Sequence, residues 1–282
     1  MSHILIAGLG DLGGGLARTL LGDGHRVSAI RRGGEAPPGV ELYRQDLLDG
    51  ALLLPVDPVD LLVIIMTPSD ASEEGYLKAY VRAPLNLLDA LAQRQPLPPI
   101  LFVSSSAVFG DVEGEVSEAT PPRPVRYNGR VMLAAEQEIS ARGLATVIRF
   151  SGIYGPGRER LLRKVQRVAR GEESLPAAVW TNRIHRDDCV GMLHHLAGRW
   201  LAGEAVPPLV VGTDNRPVSN LEMYEWLARQ LGLTLAVPDQ PVAGKRLVSR
   251  YIAAGAYRLH FADYRAGYQS VLRDRDERGR PR

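Results

Sequence analysis

The 282-residue sequence predicts an α/β fold, a doubly wound parallel sheet with a smaller C-terminal α/β lobe. Three observations lead there. Short apolar segments alternate with helical ones through the first two thirds of the chain. Some of those segments, such as LLVIIM at 61–66, are continuously apolar, as suits strands covered on both faces. The first of them runs into a glycine-rich turn, GLGDLG at 8–13, which opens a helix.

The elements follow in order. HILIAG is a strand, and LGGGLARTLLGDG is a helix closed by glycine. HRVSAIRR is the second strand, VELYRQD a short third and DLLVIIMT the fourth. EEGYLKAYVRAPLNLLDALAQ has the 3.6-residue period of one long amphipathic helix. PPILFVSSS is the fifth strand, RVMLAAEQEISARG a helix and LATVIRFSG the sixth strand. After Gly155 the rhythm loosens, leaving a helix in ERLLRKVQRVARG, a strand in PLVVGT and a helix in LEMYEWLARQLG. The domain reading is therefore a dinucleotide-binding type of domain over 1–155, to which 185–213 returns, with a lobe over 156–184 and 214–272. The ending RDRDERGRPR alternates in sign and holds no apolar residue, so 273–282 reads as a solvated, frayed tail.

Hydrophobic residues make up 45% of the chain, enough for a sizeable core. The net charge of +2 is close to balance and no basic stripe is interleaved with aromatics, which argues against a nucleic-acid partner. Cys189 is the single cysteine, so no internal disulfide can form, and it is expected to be buried and inert. The six histidines show no metal-ligand spacing; no metal is expected, and the adjacent His194 and His195 read as surface residues. The start lacks the pattern of a signal peptide, and LLVIIM is too short to cross a bilayer, so the expected location is the cytoplasm.

In the glycine turn, Gly8 permits a tight bend, Gly10 lets a ligand approach the backbone and Gly13 allows helix to pack on strand. Asp11 and Leu12 complete the loop. A pyrophosphate would rest on the helix N-terminus, where free N–H groups and the helix dipole favour anions. This is the Rossmann pattern for a dinucleotide; the bland alternative is a turn with no ligand. Arg31 and Arg32 end the second strand, where an NAD site usually carries an acid. Arginine suits a 2′-phosphate by charge and planar geometry, so NADP is favoured over NAD, unless the pair is simply solvated. Asp46 and Leu47, after the third strand, are expected near the adenine, and Thr67 at the end of the fourth is read with the cofactor residues. Asp70, beyond that strand, would overlook the ligand from the carboxyl edge of the sheet.

Together these pieces resemble the extended short-chain dehydrogenase/reductase family, the NAD-dependent epimerase/dehydratase group. SSSAVFG at 104–110 is similar to that family's active-site strand end, IRFSGIYGPGR at 148–158 to its R-x-x-x-x-Y-G-P-G segment, and NRIHRDDCVGML at 182–193 to its F-I-H-V-D-D helix start. The shorter glycine motif and the segment GKRLVSRYIAAGAYRLHFADYRAGY resemble the atypical branch. The resemblance implies a dinucleotide cofactor, a small polar or nucleotide-sugar-like substrate, and a homodimer built on the helix at 75–94 and the helix from Arg130. Apolar residues such as Leu85, Leu87, Leu88, Leu91, Val131, Met132 and Leu133 would serve that interface. It places Tyr154 and Arg158 at the beginning of the substrate pocket and makes Ser106 the catalytic serine.

The departure lies in RPVRYNGRVMLAAEQ at 123–137. Where the family carries Y-G-R-(S/T)-K-L-x-A-E, the match on Gly129-Arg130 and Ala135-Glu136 puts Asn128 at the tyrosine position and Met132 at the lysine position. A tyrosine and a lysine four residues apart share a helix face, which lets the lysine lower the tyrosine's pKa. Methionine cannot do this, and asparagine is no acid near neutral pH. Tyr127, one residue earlier, either turns inward as a substitute acid or packs its ring at the helix start. Ser106 is either a reacting group or a hydroxyl that bonds the backbone at a strand end. His185 is expected to shape a turn. Two readings stay open: an NADP-dependent oxidoreductase or epimerase with an altered catalytic set, and a non-catalytic NADP-binding sensor or partner-binding protein.

Overall fold

The strands, in chain order, are β1 (His3–Ala7), β2 (Arg26–Arg31), β3 (Glu41–Arg44), β4 (Leu61–Ile64), β5 (Ile100–Ser105), β6 (Gly114–Val116), β7 (Ala145–Phe150), β8 (Gly152–Tyr154), β9 (Trp180–Thr181), β10 (Arg183–His185), β11 (Leu209–Gly212), β12 (Val218–Ser219) and β13 (Lys245–Leu247). The helices are α1 (Asp11–Gly22), α2 (Glu73–Leu77), α3 (Ala83–Ala92), α4 (Tyr127–Arg142), α5 (Arg160–Ala169), α6 (Arg186–Leu201), α7 (Asn220–Gln230), α8 (Arg250–Ala253) and α9 (Tyr264–Gly279). This computed structural model describes residues 1–279, with side chains to 275.

A seven-stranded parallel sheet takes the order β11-β7-β5-β4-β1-β2-β3. The chain steps outward from β1 in both directions, so the strand order reverses beside β1, and ligands of such sheets gather at the carboxyl edge there. The continuous apolar runs behave as expected: every residue of β1 and β4 is buried. Each Leu or Ile so covered contributes roughly 1.5–3 kcal/mol.

The helix expected over 73–93 is a continuous helical stretch with one change of pitch. Residues Lys78–Arg82 form a π-turn between α2 and α3. Pro84 has no N–H to return to the Tyr80 carbonyl and its ring crowds that carbonyl, so the turn before it widens. Ser72 starts α2 by accepting from the Gly75 N–H at 3.0 Å. Leu87, Leu88, Leu91, Val131 and Met132 are buried in the packing of these helices, whereas Leu85 and Leu133 stay half-exposed. Most of the apolar excess named for a dimer face is therefore core.

The chain forms two compact units. The first comprises residues 1–110, 121–150 and 189–210. The second comprises 111–120, 151–188 and the chain from 211 onward. Its core gathers Tyr154, Leu162, Val165, Met223, Leu227 and Tyr268. Within it β8 pairs with β10, β6 with β13 and β9 with β12. These strands have two or three residues each, too short to show a period, and the sequence pattern did not predict them. The expected frayed tail is corrected in part: residues 273–279 continue α9, and 280–282 lie outside the described residues. Among the described residues no helix is long and apolar enough to cross a membrane, and no cluster of His, Cys, Asp or Glu could hold a metal. Cys189 is buried.

Candidate functional site

The carboxyl edge of the first unit brings together the ends of β1, β2, β4 and β5, because Ala7 pairs with both Ile30 and Ile64, and Ile64 pairs with Phe102. That edge carries the glycine turn, Arg31 and Arg32, Thr67 and Ser106.

The turn is dictated by sterics. Gly8 has φ +98°, and a Cβ there would stand 2.0 Å from the Ile65 carbonyl oxygen. Its N–H donates to Ile30 O at 3.0 Å. A Cβ on Gly13 would lie 2.2 Å from Gly8 O. Gly10 differs: a Cβ there would meet nothing within 4 Å. It stands at the N-cap of α1, where no side chain caps the helix. The first helical bond runs from Gly14 N–H to Gly10 O at 2.8 Å, so the preceding N–H groups have no intrahelical acceptor. An open face beside an uncapped helix N-terminus fits a pyrophosphate. Asp11 is exposed at the start of α1, and Leu12 is buried.

Arg31 folds back on its own loop, with Nη1 donating to Glu35 O at 2.7 Å. Arg32 is 61% exposed, and its Nη1 lies 3.8 Å from the Asp46 carboxylate, a pair that solvent screens. The other Asp46 oxygen accepts from Leu48 N–H at 3.0 Å. Leu47 is buried, and its carbonyl accepts from Asn86 Nδ2 at 3.0 Å. Thr67 is exposed. Asp70 serves the start of α2: its carboxylate accepts from Ser72 N–H at 2.9 Å and from the Ser72 hydroxyl, which holds the carboxyl below its usual range.

Tyr127 is the first residue of α4. Its hydroxyl donates to Ala71 O, and its ring meets Tyr76 edge-on at 5.6 Å. Among the described residues no hydrogen bond joins Tyr127 to Ser106, which begins a short 3-10 turn over Ser106–Phe109. Met132, expected at the lysine position, is 3% exposed and packed in the core; Asn128 is half-buried.

One expected position is corrected in the second unit. Tyr154 is core instead of pocket lining: it is 2% exposed, stacks on Tyr268 at 4.4 Å and donates to Asp263 O at 3.3 Å. Desolvation pushes its phenol far above the usual range. His185 does stand at a turn, its Nδ1 accepting from Asp187 N–H at 3.2 Å, but it is also fully buried against Tyr154 and Phe261. Arg158 is exposed after the Gly155–Gly157 turn.

Sequence reasoning missed a buried triad in the first unit, Ser104, Glu136 and Arg149, each less than 6% exposed. The signal was present in the strand ATVIRF: a charge inside an apolar strand needs a buried partner.

Comparison with known proteins agrees with this arrangement. The sequence profile of the NAD dependent epimerase/dehydratase family matches residues 4–206. Protein YeeZ of Escherichia coli K12 is 31% identical over 248 residues, which cover 83% of this chain and 85% of that protein. A solved structure from Methylobacillus flagellatus, provisionally described as an NAD-dependent epimerase/dehydratase, is 36% identical; the match covers 98% of this chain and 99% of the other, with a TM-score of 0.81. MoeE5, solved in complex with UDP-glucose and NAD, shares the fold at 23% identity and a TM-score of 0.78, over 98% of this chain and 99% of its own. The glycine turn, the sheet order and these matches converge: the chain belongs to the NAD dependent epimerase/dehydratase family.

Proposed function

We propose that this protein is an NADP-dependent oxidoreductase or epimerase acting on a small polar or nucleotide-sugar-like substrate, with a non-standard proton-transfer set. The observation that carries the reading is the contrast within the glycine turn, closed at Gly8 and Gly13 and open at Gly10. The N–H groups in the first turn of α1, which have no intrahelical acceptor, would hold the pyrophosphate, and Arg31 and Arg32 would hold the 2′-phosphate. Bound cofactor supplies hydride chemistry. Ser106 would hydrogen-bond the substrate oxygen. Tyr127 would give up its proton once its bond to Ala71 O opens. Met132 keeps water from the lysine position and leaves the tyrosine without a cation to lower its pKa.

Met132 and the engaged Tyr127 hydroxyl also favour a second reading, a non-catalytic NADP-binding sensor or partner-binding protein. The test restores the family pair with Asn128→Tyr and Met132→Lys and surveys carbonyl substrates with NADPH, beside wild type and Tyr127→Phe. Turnover in wild type that falls a hundredfold or more, on the order of a lost general acid, in Tyr127→Phe supports the first reading. A wild type that binds NADPH and never turns over, while the restored variant does, supports the second. The cofactor assignment fails if calorimetry finds NADPH and NADH bound equally well.

The UDP-glucose and NAD bound by MoeE5 support a small-molecule substrate, and the near-balanced charge, with no basic stripe, is in keeping with no nucleic-acid partner. Half-exposed Leu85 and Leu133 support a homodimer across these helices. Light scattering that finds only monomer at micromolar concentration would exclude it.

A further inference from the structure

One buried ion pair touches both flanks of the turn that carries Ser106. Glu136, on α4, accepts a forked pair from Arg149 of β7: Nη2 to Oε2 at 2.6 Å, and Nε to the two oxygens at 3.0 and 3.2 Å. The Ser104 hydroxyl, at the end of β5, donates to Glu136 Oε1 at 2.5 Å. On the far side of the turn the ring of Phe109 lies under the Arg149 guanidinium, 4.8 Å from Cζ to centroid. The turn from Ser105 to Phe109 is thus held before by Ser104 and after by Phe109, both resting on one ion pair. Within it the Ser105 hydroxyl accepts from Ala107 N–H at 3.2 Å, and Gly110 N–H donates to Ala107 O at 3.1 Å.

The same helix presses directly on the turn. A Cβ on Gly129 would stand 2.6 Å from Ala107 O, so only glycine lets α4 sit this close. The ion pair is not interchangeable with solvent, since Arg149 and Glu136 side chains are 5% and 7% exposed. The remaining terminal nitrogen, Arg149 Nη1, is buried without a hydrogen-bond partner. The guanidinium charge therefore depends on Glu136.

We infer that Glu136, through Arg149 and Ser104, is a positioning residue that fixes the Ser106 turn against the N-terminal part of α4, setting where the serine hydroxyl meets a substrate. The inference takes the role of Ser106 from the function proposed above. A forked charge-assisted pair is suited to this task because it restrains direction as well as distance. Two side chains anchored to one carboxylate cannot drift independently.

The mildest test is Ser104→Ala, which removes one flank and keeps the ion pair, with Ser104→Thr restoring the hydroxyl. Hydrogen exchange by mass spectrometry on the full chain reads the amides of Ala107 and Gly110. The expected result in Ser104→Ala is roughly tenfold faster exchange over 105–110, as befits loss of a hydrogen bond to a charged group, with the peptides of the glycine turn unchanged and Ser104→Thr close to wild type. NADPH affinity should stay within about twofold, and any turnover should lose kcat while KM for NADPH holds. The double variant Glu136→Leu with Arg149→Met keeps an apolar interior if Glu136→Gln alone does not fold, and it should loosen the same segment. Unchanged exchange over 105–110 in both Ser104→Ala and the double variant overturns the inference, as does an equal rise across the whole first unit. If the segment loosens as expected but wild type has no turnover on any substrate, the positioning stands and the catalytic reading of Ser106 falls instead.

Discussion

The two units of this chain treat buried polar groups differently. In the first, such groups are joined in networks that leave only Arg149 Nη1 over among the described residues: Ser104, Glu136 and Arg149 above, and at the opposite edge of the sheet His3, whose ring reaches Pro58 O at 3.0 Å and the Ser28 hydroxyl at 2.7 Å, with Ser28 passing on to Glu41 at 2.8 Å. In the second, Ser151 Oγ, Arg183 Nε, His185 Nε2, Asp214 Oδ2 and the hydroxyls of Tyr264 and Tyr268 are buried with no hydrogen-bond partner. Burial without partners moves ionisable groups toward neutrality. The Asp214 carboxyl is pushed up to about 7 by desolvation, and burial lowers His185 to about 4. The first unit is built to hold geometry, whereas the second holds titratable groups whose charge state depends on pH.

The sharpest way to break the first half of that comparison is Gly8→Ala. A Cβ 2.0 Å from a backbone oxygen, at φ +98°, cannot be absorbed by a side-chain movement. The expected loss is more than about 3 kcal/mol, read as a fall in denaturant midpoint. A stable Gly8→Ala protein would show that the turn is not rigid.

The next effect tests the second unit. An acid whose folded pKa lies above its unfolded value holds more protons in the folded state. Asp214 therefore costs stability as pH rises from about 4 to about 7, and that cost persists above the folded value. His185 works in the opposite sense: its folded value is depressed, so it costs stability as pH falls from about 6.5 to about 4. The two slopes oppose each other below about 6.5, and that of Asp214 alone continues to about 7. Asp214→Asn keeps the shape and removes the proton uptake. It should be more stable than wild type at pH 8 by at most about 4 kcal/mol and show no gain near pH 4, measured by denaturant unfolding at each pH. An equal gain at both values would assign the effect to packing instead of charge.

Gly10→Ala is the counterpart of the first prediction. Its Cβ meets no protein atom, so stability should change by less than about 0.5 kcal/mol, whereas NADPH affinity should fall about tenfold as the methyl group intrudes on the pyrophosphate. Unaltered binding would remove the glycine turn from the site. The smallest expected effect belongs to Arg32→Ala. Because Arg32 is exposed and already faces Asp46, its loss should lower NADPH affinity several-fold and leave NADH affinity alone. A parallel fall for both cofactors would mean that the arginine is a general anion attractor.

Part of this molecule was legible before any coordinates. The glycine spacing determined the turn, because positive φ and near-contact with a carbonyl exclude every side chain at Gly8. Continuous apolar runs determined the buried strands β1 and β4, and the resemblance of 123–137 to the family's helix start led to the expectation that Asn128 and Met132 replace its tyrosine and lysine. Tertiary structure decided the rest. Asp70 and Tyr154 resemble pocket residues by position, yet Asp70 is drawn to the start of α2 and Tyr154 into a packed ring stack, since partners distant in sequence occupy the space around them. Whether Tyr127 turns inward depends on Ala71, 56 residues away. The joining of Glu136 to Arg149 and Ser104, and the isolation of Asp214 from any partner for one oxygen, follow from how strands and helices cross. A sequence gives each residue's chemistry and local period; only packing sets which charges meet and which are left alone in a medium that cannot solvate them.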